Sequence, residues 1–288
     1  MLPTRERCRR VIHSLFSGLN HLLSATPPSA GLLCFPGEEG QRGGITTHSI
    51  RGSWGLALYP DAGEAGGSWR GAAGSGGSGG GGGWPEDPDR AADEAARRAR
   101  GKVRRYCAAN GLNRFGTLTY AGEGEHDPVA VRGDIRRFFK GLRRGLGGDS
   151  FPYLWVPELH KTGHGWHVHF VVGRFVARGL IESSWGRGFV HIKLIGNLPV
   201  GSGVREEARV AARYVSKYLG KGMGRSSGLN RYDVAQGFQP KSEPIVAGTL
   251  DGAVDAASDR MGDQPAYVWR SQDAEEWRGP PAVWLQWR

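Results

Sequence analysis

Cysteine is scarce in this chain. Cys8, Cys34 and Cys107 are the only three among 288 residues. Their wide separation gives no metal-ligating spacing and no even disulfide set, which excludes a disulfide scaffold and fits a reducing cytoplasm. No run of about 18 apolar residues occurs, so no transmembrane helix is expected. No stretch reads G-x-x-x-x-G-K-[ST], which excludes a P-loop ATPase or helicase module. The run "GAAGSGGSGGGGGW" (71–84) is rich in glycine but lacks that motif's lysine and has the composition of a flexible linker. No internal repeat is visible.

Glycine and positive charge are abundant. There are 48 glycines and a net charge of +10, with a pI near 9.8. That balance points to an acidic partner, nucleic acid before an anionic membrane surface. Near the N-terminus, Arg5, Arg7, Arg9 and Arg10 precede Val11, Ile12, Leu15, Phe16, Leu19, Leu22 and Leu23 at helical spacing. His13, Asn20 and His21 interrupt the apolar set, which favours a short amphipathic helix over a secretory signal. Residues 1–84 read as a glycine-rich, low-complexity extension and linker. Residues 85–240 read as the folded body. Residues 241–288 read as an irregular tail holding Trp269, Trp277, Trp284 and Trp287.

Asp87-Pro88 has the form of a helix start, and Asn110-Gly111 that of its stop. "FGTLTY" (115–120) is β-branched and aromatic, a strand. Asp127-Pro128 opens a second helix whose apolar face carries Val131, Ile135, Phe138 and Leu142. Arg132, Arg136, Arg137, Lys140, Arg143 and Arg144 surround that face and are candidates for phosphate contacts as well as for plain solvation. "PYLWVPELH" (152–160) and "GWHVHFVVG" (165–173) are two strands joined by "KTGHG". A short helix over 175–184, a strand over 188–195 and a helix over 205–221 stopped by Gly222 complete the pattern. The order β-α-β-β-α-β-α describes an α+β layer, a mostly antiparallel central sheet with helices packed on it.

Alternate strand residues share a face, so His167 and His169 point the same way. A turn centred on Thr162-Gly163 sets Glu158 opposite His167 and Val156 opposite His169. Two imidazoles and one carboxylate with open positions suit a catalytic divalent metal, with His160 as a further candidate ligand. His-x-His alone is common in exposed strands; the register with Glu158 gives it weight. In "RYVSKYLGK" (213–221), Tyr214 and Tyr218 are four apart on one helical face, with Lys217 and Lys221 each three residues beyond a tyrosine. Amphipathic packing would explain such a tyrosine pair on its own. Beside a metal, a tyrosine oxygen can instead attack a phosphodiester and form a reversible phosphotyrosine link. The combination describes a DNA nicking and joining enzyme.

"FGTLTY", "ELHKTGHGWHVHF" and "YVSKYLGK", in this order, resemble the three motifs of HUH endonucleases. More closely they resemble rolling-circle replication initiators of bacterial plasmids, integrated elements and single-stranded DNA phages. "RYDVAQGFQP" (231–240) is similar to initiators of actinobacterial elements. The resemblance covers roughly residues 95–240. It implies an HUH fold with an RRM/ferredoxin-like palm. It implies a Mg²⁺ or Mn²⁺ ion on Glu158, His167 and His169, and Tyr218 as the nucleophile with Lys221. Tyr214 would be the second tyrosine and Lys217 an accessory cation. The implied partners are single-stranded origin DNA, a host helicase to open the duplex, and a host DNA polymerase that extends the freed 3′-hydroxyl. "FGTLTY" would be mainly architectural. A two-tyrosine transposase and a non-catalytic DNA-binding remnant are the alternatives. A relaxase fits less well, because here the tyrosines follow the histidines.

Overall fold

In the computed structural model the described residues are 52–71, 88–194, 202–219 and 229–288 apart from 276 and 278. All of them lie within one unit, Ile50–Arg288. The central layer is built from β3 (Arg114–Tyr120), α2 (Pro128–Gly145), β4 (Tyr153–Leu159), β5 (Trp166–Val172), α3 (Arg178–Trp185) and β6 (Gly188–Leu194). This is a β-α-β-β-α-β succession, with β7 (Asp233–Val234) added at one edge. The strands run β6-β3-β5-β4-β7, each pair antiparallel. That order interleaves the two β-α-β halves, the arrangement of a ferredoxin-like palm. The α+β class expected from the sequence is therefore the observed one.

Local chemistry explains the elements. Asp127 caps α2 by accepting from the amides of Val129 (2.9 Å) and Ala130 (3.3 Å), with Pro128 ready-set at the first helical position. The β4–β5 connection turns at Gly163 (φ 78) and Gly165 (φ 79), a backbone region that disfavours side chains. A Cβ on Gly165 would sit 2.2 Å from the Glu125 carbonyl oxygen. Leu118, Val168, Phe170 and Trp155 face α2 and α3, which close the core with Ile135, Phe138, Leu142, Ile181 and Trp185. The opposite face of the sheet is left for α1 (Pro88–Ala109) and α4 (Gly203–Ser216).

Two expectations are corrected here. Composition predicts linker over 53–70 and an irregular tail over 241–288, yet these segments form a second antiparallel sheet. Its strands are β1 (Ser53–Tyr59), β2 (Glu64–Arg70), β8 (Glu243–Ala247), β9 (Tyr267–Arg270) and β10 (Ala282–Gln286), in the order β8-β1-β2-β10-β9. Helix α5 (Leu250–Met261) packs on it, joining Leu56, Leu58, Ala65, Ile245, Val283 and Leu285 to Ala253 and Ala257 in one core. Glycines at 55, 66 and 67 hide the strand alternation. They are there for close backbone approach: a Cβ on Gly67 would meet the Gly55 carbonyl oxygen at 1.9 Å. The expected helix over 205–221 ends at Ser216, because the amides of Lys217, Tyr218 and Leu219 bond three residues back at 3.1–3.2 Å and tighten the chain. The cap reading of Asp87, the Gly222 stop and the N-terminal helix lie outside the described residues.

Side chains tie the second sheet to the helices. Arg104 on α1 grips Glu64 of β2 with two hydrogen bonds of 2.8 and 3.0 Å. Arg209 on α4 donates to the carbonyls of Ala62 (2.9 Å) and Gly63 (3.0 Å).

Candidate active site

β5 pairs with β4 in the register deduced from the sequence: Glu158 opposite His167, and Val156 opposite His169. On its other side β5 sets Thr117 against His169 and Thr119 against His167. Strand alternation thus gathers Phe115, Thr117, Glu158, His167 and His169 on the sheet face turned away from α2. Glu158 (6 % exposed), His167 (1 %) and His169 (1 %) are all buried.

His169 is held at both ring nitrogens. Nε2 lies 2.8 Å from Glu158 Oε2 and Nδ1 lies 3.0 Å from Thr117 Oγ1. With Glu158 a carboxylate, Nε2 carries the proton and Nδ1 of the neutral ring accepts from the threonine hydroxyl. His167 differs, for both its ring nitrogens are buried without a hydrogen-bond partner. Burial, then the neighbouring His160, His169 and His164, push the His167 pKa down to about 3, so its ring is neutral and keeps a lone pair for a ligand. His160 stacks on His167 with centroids 4.5 Å apart, and its Nδ1 accepts from the Thr162 amide at 3.3 Å. Burial lowers the His160 pKa as well, opposed by Glu158. His164 donates from Nε2 to the Tyr120 carbonyl at 3.0 Å.

Among the described residues no three histidine, cysteine or carboxylate side chains converge on one point in ligand geometry. The donor types fit a divalent ion nonetheless. Two imidazoles and a carboxylate share one buried face, and the unpartnered His167 nitrogens are what a cation would satisfy. An ion held by all three would replace the proton that now joins His169 to Glu158.

The tyrosines cover this face. The Tyr218 ring stacks on His169 with centroids 3.8 Å apart at 25°. The Phe115 ring meets Tyr214 edge-on at 4.7 Å and Tyr218 at 6.3 Å. The Tyr218 hydroxyl donates to the Tyr214 hydroxyl at 3.4 Å. Burial raises the Tyr218 pKa, and its bond to Tyr214 and the Glu158 charge raise it further, so the phenol stays protonated as it stands. Burial also raises Tyr214, partly offset by its acceptance from Tyr218. The Lys217 ammonium sits over the Tyr214 ring, 5.3 Å from its centroid.

The structure therefore brings together Glu158, His167, His169, Tyr214, Tyr218 and Lys217. Lys221 lies outside the described residues. The arginines and Lys140 of α2 are not part of this cluster, since their helix packs on the other sheet face. Arg137 is engaged by the buried Asp134, which also takes Arg187 at 2.8 Å. Reading "FGTLTY" as architecture misses Thr117 and Phe115 as site residues. Period-two alternation along β3 is the available signal, since it puts 115, 117 and 119 on the histidine side.

No curated protein and no solved structure matches the chain. A protein-family model does: residues 113–223 match the replication-associated protein ORF2 family. That span runs from the strand carrying Phe115 and Thr117 to just beyond Tyr218, so the whole side-chain cluster lies in the part of the chain that is similar to this replication-associated family.

Proposed function

We propose that this chain is a rolling-circle replication initiator of the HUH type, a single-strand DNA endonuclease and ligase working through tyrosine. The observation that carries the reading is the Tyr218 ring stacked 3.8 Å from His169, over a face that also holds Glu158 and the unpartnered His167.

Glu158, His167 and His169 would hold Mg²⁺ or Mn²⁺. When bound, the ion would supply Lewis-acid polarisation of a scissile phosphate and offset its developing charge. The chain's own residues do the rest. Thr117 fixes the tautomer and tilt of His169 through Nδ1. Phe115 sets the planes of both tyrosines. Tyr218 Oη attacks phosphorus, the bond from phosphorus to the 3′-oxygen breaks, and that oxygen takes up a proton while the phenol loses one. The products are a 5′-phosphotyrosine and a free 3′-hydroxyl. Attack by a 3′-hydroxyl on the phosphotyrosine reverses the bond and joins strands. Tyr214 serves a second transfer. Lys217 and Lys221 stabilise phosphate charge. A host helicase opens the duplex and a host polymerase extends the primer.

The buried, protonated phenol also explains restraint. Tyr218 is not a nucleophile until a cation beside Glu158 opposes the charge that keeps its proton on. The test is nicking of single-stranded DNA from the element's own origin with Mn²⁺ and with EDTA. His167→Ala and His169→Ala are expected to abolish nicking while DNA binding stays within a few-fold of wild type. Equal loss of binding in both variants would make the pair structural.

A further inference from the structure

A second concave site lies on the opposite face of the palm, at the β4–β7 edge. Arg136, Lys140, Arg143, Tyr153, Gln236 and Phe238 are among the residues lining this cavity of about 340 Å³. Its charged lining residues are three cations. Arg136, Lys140 and Arg143 recur at helical spacing on α2, so all three reach one side of the opening. The other walls are aromatic. Phe139 lies flat on Tyr153, with centroids 3.6 Å apart and planes within 7°. Phe151 stands edge-on to Tyr153 at 5.9 Å. The floor is fastened: Ala235 donates its amide to the Tyr153 carbonyl at 3.0 Å, and Tyr106 donates its hydroxyl to the Ala235 carbonyl at 3.2 Å. The Phe238 carbonyl accepts from Asn110 Nδ2 at 3.0 Å. The nearest anion, Asp233, turns its carboxylate to the Val234 amide at 2.8 Å. Ala235, Gln236 and Phe238 come from "RYDVAQGFQP", which lies outside the span that matches the replication-associated family.

Flat apolar walls beside three cations suit a nucleobase with its flanking phosphates. We propose that this cavity receives one unpaired base of the bound DNA strand, stacked against Phe238 and the Phe151–Tyr153 wall, with Arg136, Lys140 and Arg143 on the adjoining phosphates. By the strand rise, Tyr153 lies about 17 Å along β4 from Glu158. A strand passing round the β7 edge is therefore gripped at one end of β4 and presented to Tyr218 at the other. The inference rests on reading the chain as a single-strand DNA enzyme, and it gives the arginines of α2 a task away from the cleavage chemistry.

The experiment uses the full chain in EDTA, so that cleavage plays no part. Fluorescence anisotropy reads the binding of dT12, of a dT12 analogue with every base removed, and of free dTMP. Phe238→Ala is expected to weaken dT12 binding about 5- to 150-fold, the range for losing one stacked base, and to leave the base-free strand within twofold. Lys140→Ala is expected to weaken both strands and to reduce the salt slope by about 0.7. Gln236→Glu, an exposed change at the rim, is expected to weaken dT12 several-fold at low salt, which keeps the test alive if Phe238→Ala misfolds. Free dTMP is expected to bind far more weakly than dT12. Equal loss for both strands in Phe238→Ala, or dTMP binding as tight as dT12, would overturn the proposal. A catalytically dead protein that still shows the base-dependent loss would refute the nicking reading alone.

Discussion

Removing residues 1–84 is expected to unravel the second sheet and destabilise the whole protein. The deletion takes β1 and β2, which sit second and third in the strand order β8-β1-β2-β10-β9. Leu58 (0 % exposed) and Leu56 (4 %) leave the core, and each buried leucine is worth about 1.5–3 kcal/mol. Their neighbours Val283, Leu285 and Ile245 then face water. Arg209 loses its two carbonyl acceptors and Arg104 loses Glu64. A buried charge stripped of its partner costs about 3–5 kcal/mol. Together these losses approach the whole stability of an ordinary domain, about 5–15 kcal/mol. The assay is thermal unfolding followed by circular dichroism, with limited proteolysis across 243–288. The expected result is a broad transition at much lower temperature and rapid cleavage between β8 and β10. Leu58→Ala gives the milder version, a loss of about 2–5 kcal/mol. A deletion variant that melts with the full chain and keeps 243–288 protected would refute the reasoning.

Three further expectations are narrower. Thr117→Val removes the hydroxyl that His169 Nδ1 uses while keeping the shape of the side chain; metal-dependent nicking should fall about 10- to 100-fold with the melting temperature little changed. Acid should destabilise the metal-free protein. His167 has its pKa lowered from 6.5 to about 3 on folding, so the unfolded chain binds the proton more readily between those values, and stability present above about pH 6.5 is lost as pH falls. Urea unfolding at a series of pH values checks this, and His167→Gln should flatten the dependence. Tyr214→Phe should preserve the first cleavage and impair a second transfer, read as accumulated protein–DNA adduct that fails to rejoin.

The palm is legible in the sequence because its signals are local. Asp127-Pro128 caps a helix, Thr162-Gly163 turns a hairpin, and a period of two on β5 aligns His167 with His169. From the turn alone, the pairing of Glu158 with His167 follows. The second sheet is not legible, because β1 pairs with β8 and β2 with β10 across most of the chain. Its inner positions carry Gly55, Gly66 and Gly67, which show no apolar alternation in sequence while permitting close strand approach. The site is half legible. Residue types and spacing mark His167, His169 and Tyr218, whereas the parts of Thr117 and Phe115 depend on β3 lying beside β5. The cavity at the β4–β7 edge joins α2 to residues about a hundred positions later, a juxtaposition that only the tertiary fold supplies.

The most direct test of the central claim is a denaturing gel of the full chain incubated with single-stranded origin DNA and Mn²⁺, with the linked residue mapped by mass spectrometry. A DNA-linked protein band that vanishes with EDTA and in Tyr218→Phe, with the phosphate on Tyr218, is the expected result. DNA that binds but never becomes linked in any divalent metal would contradict it, and would leave the buried histidines and the stacked tyrosines as packing alone.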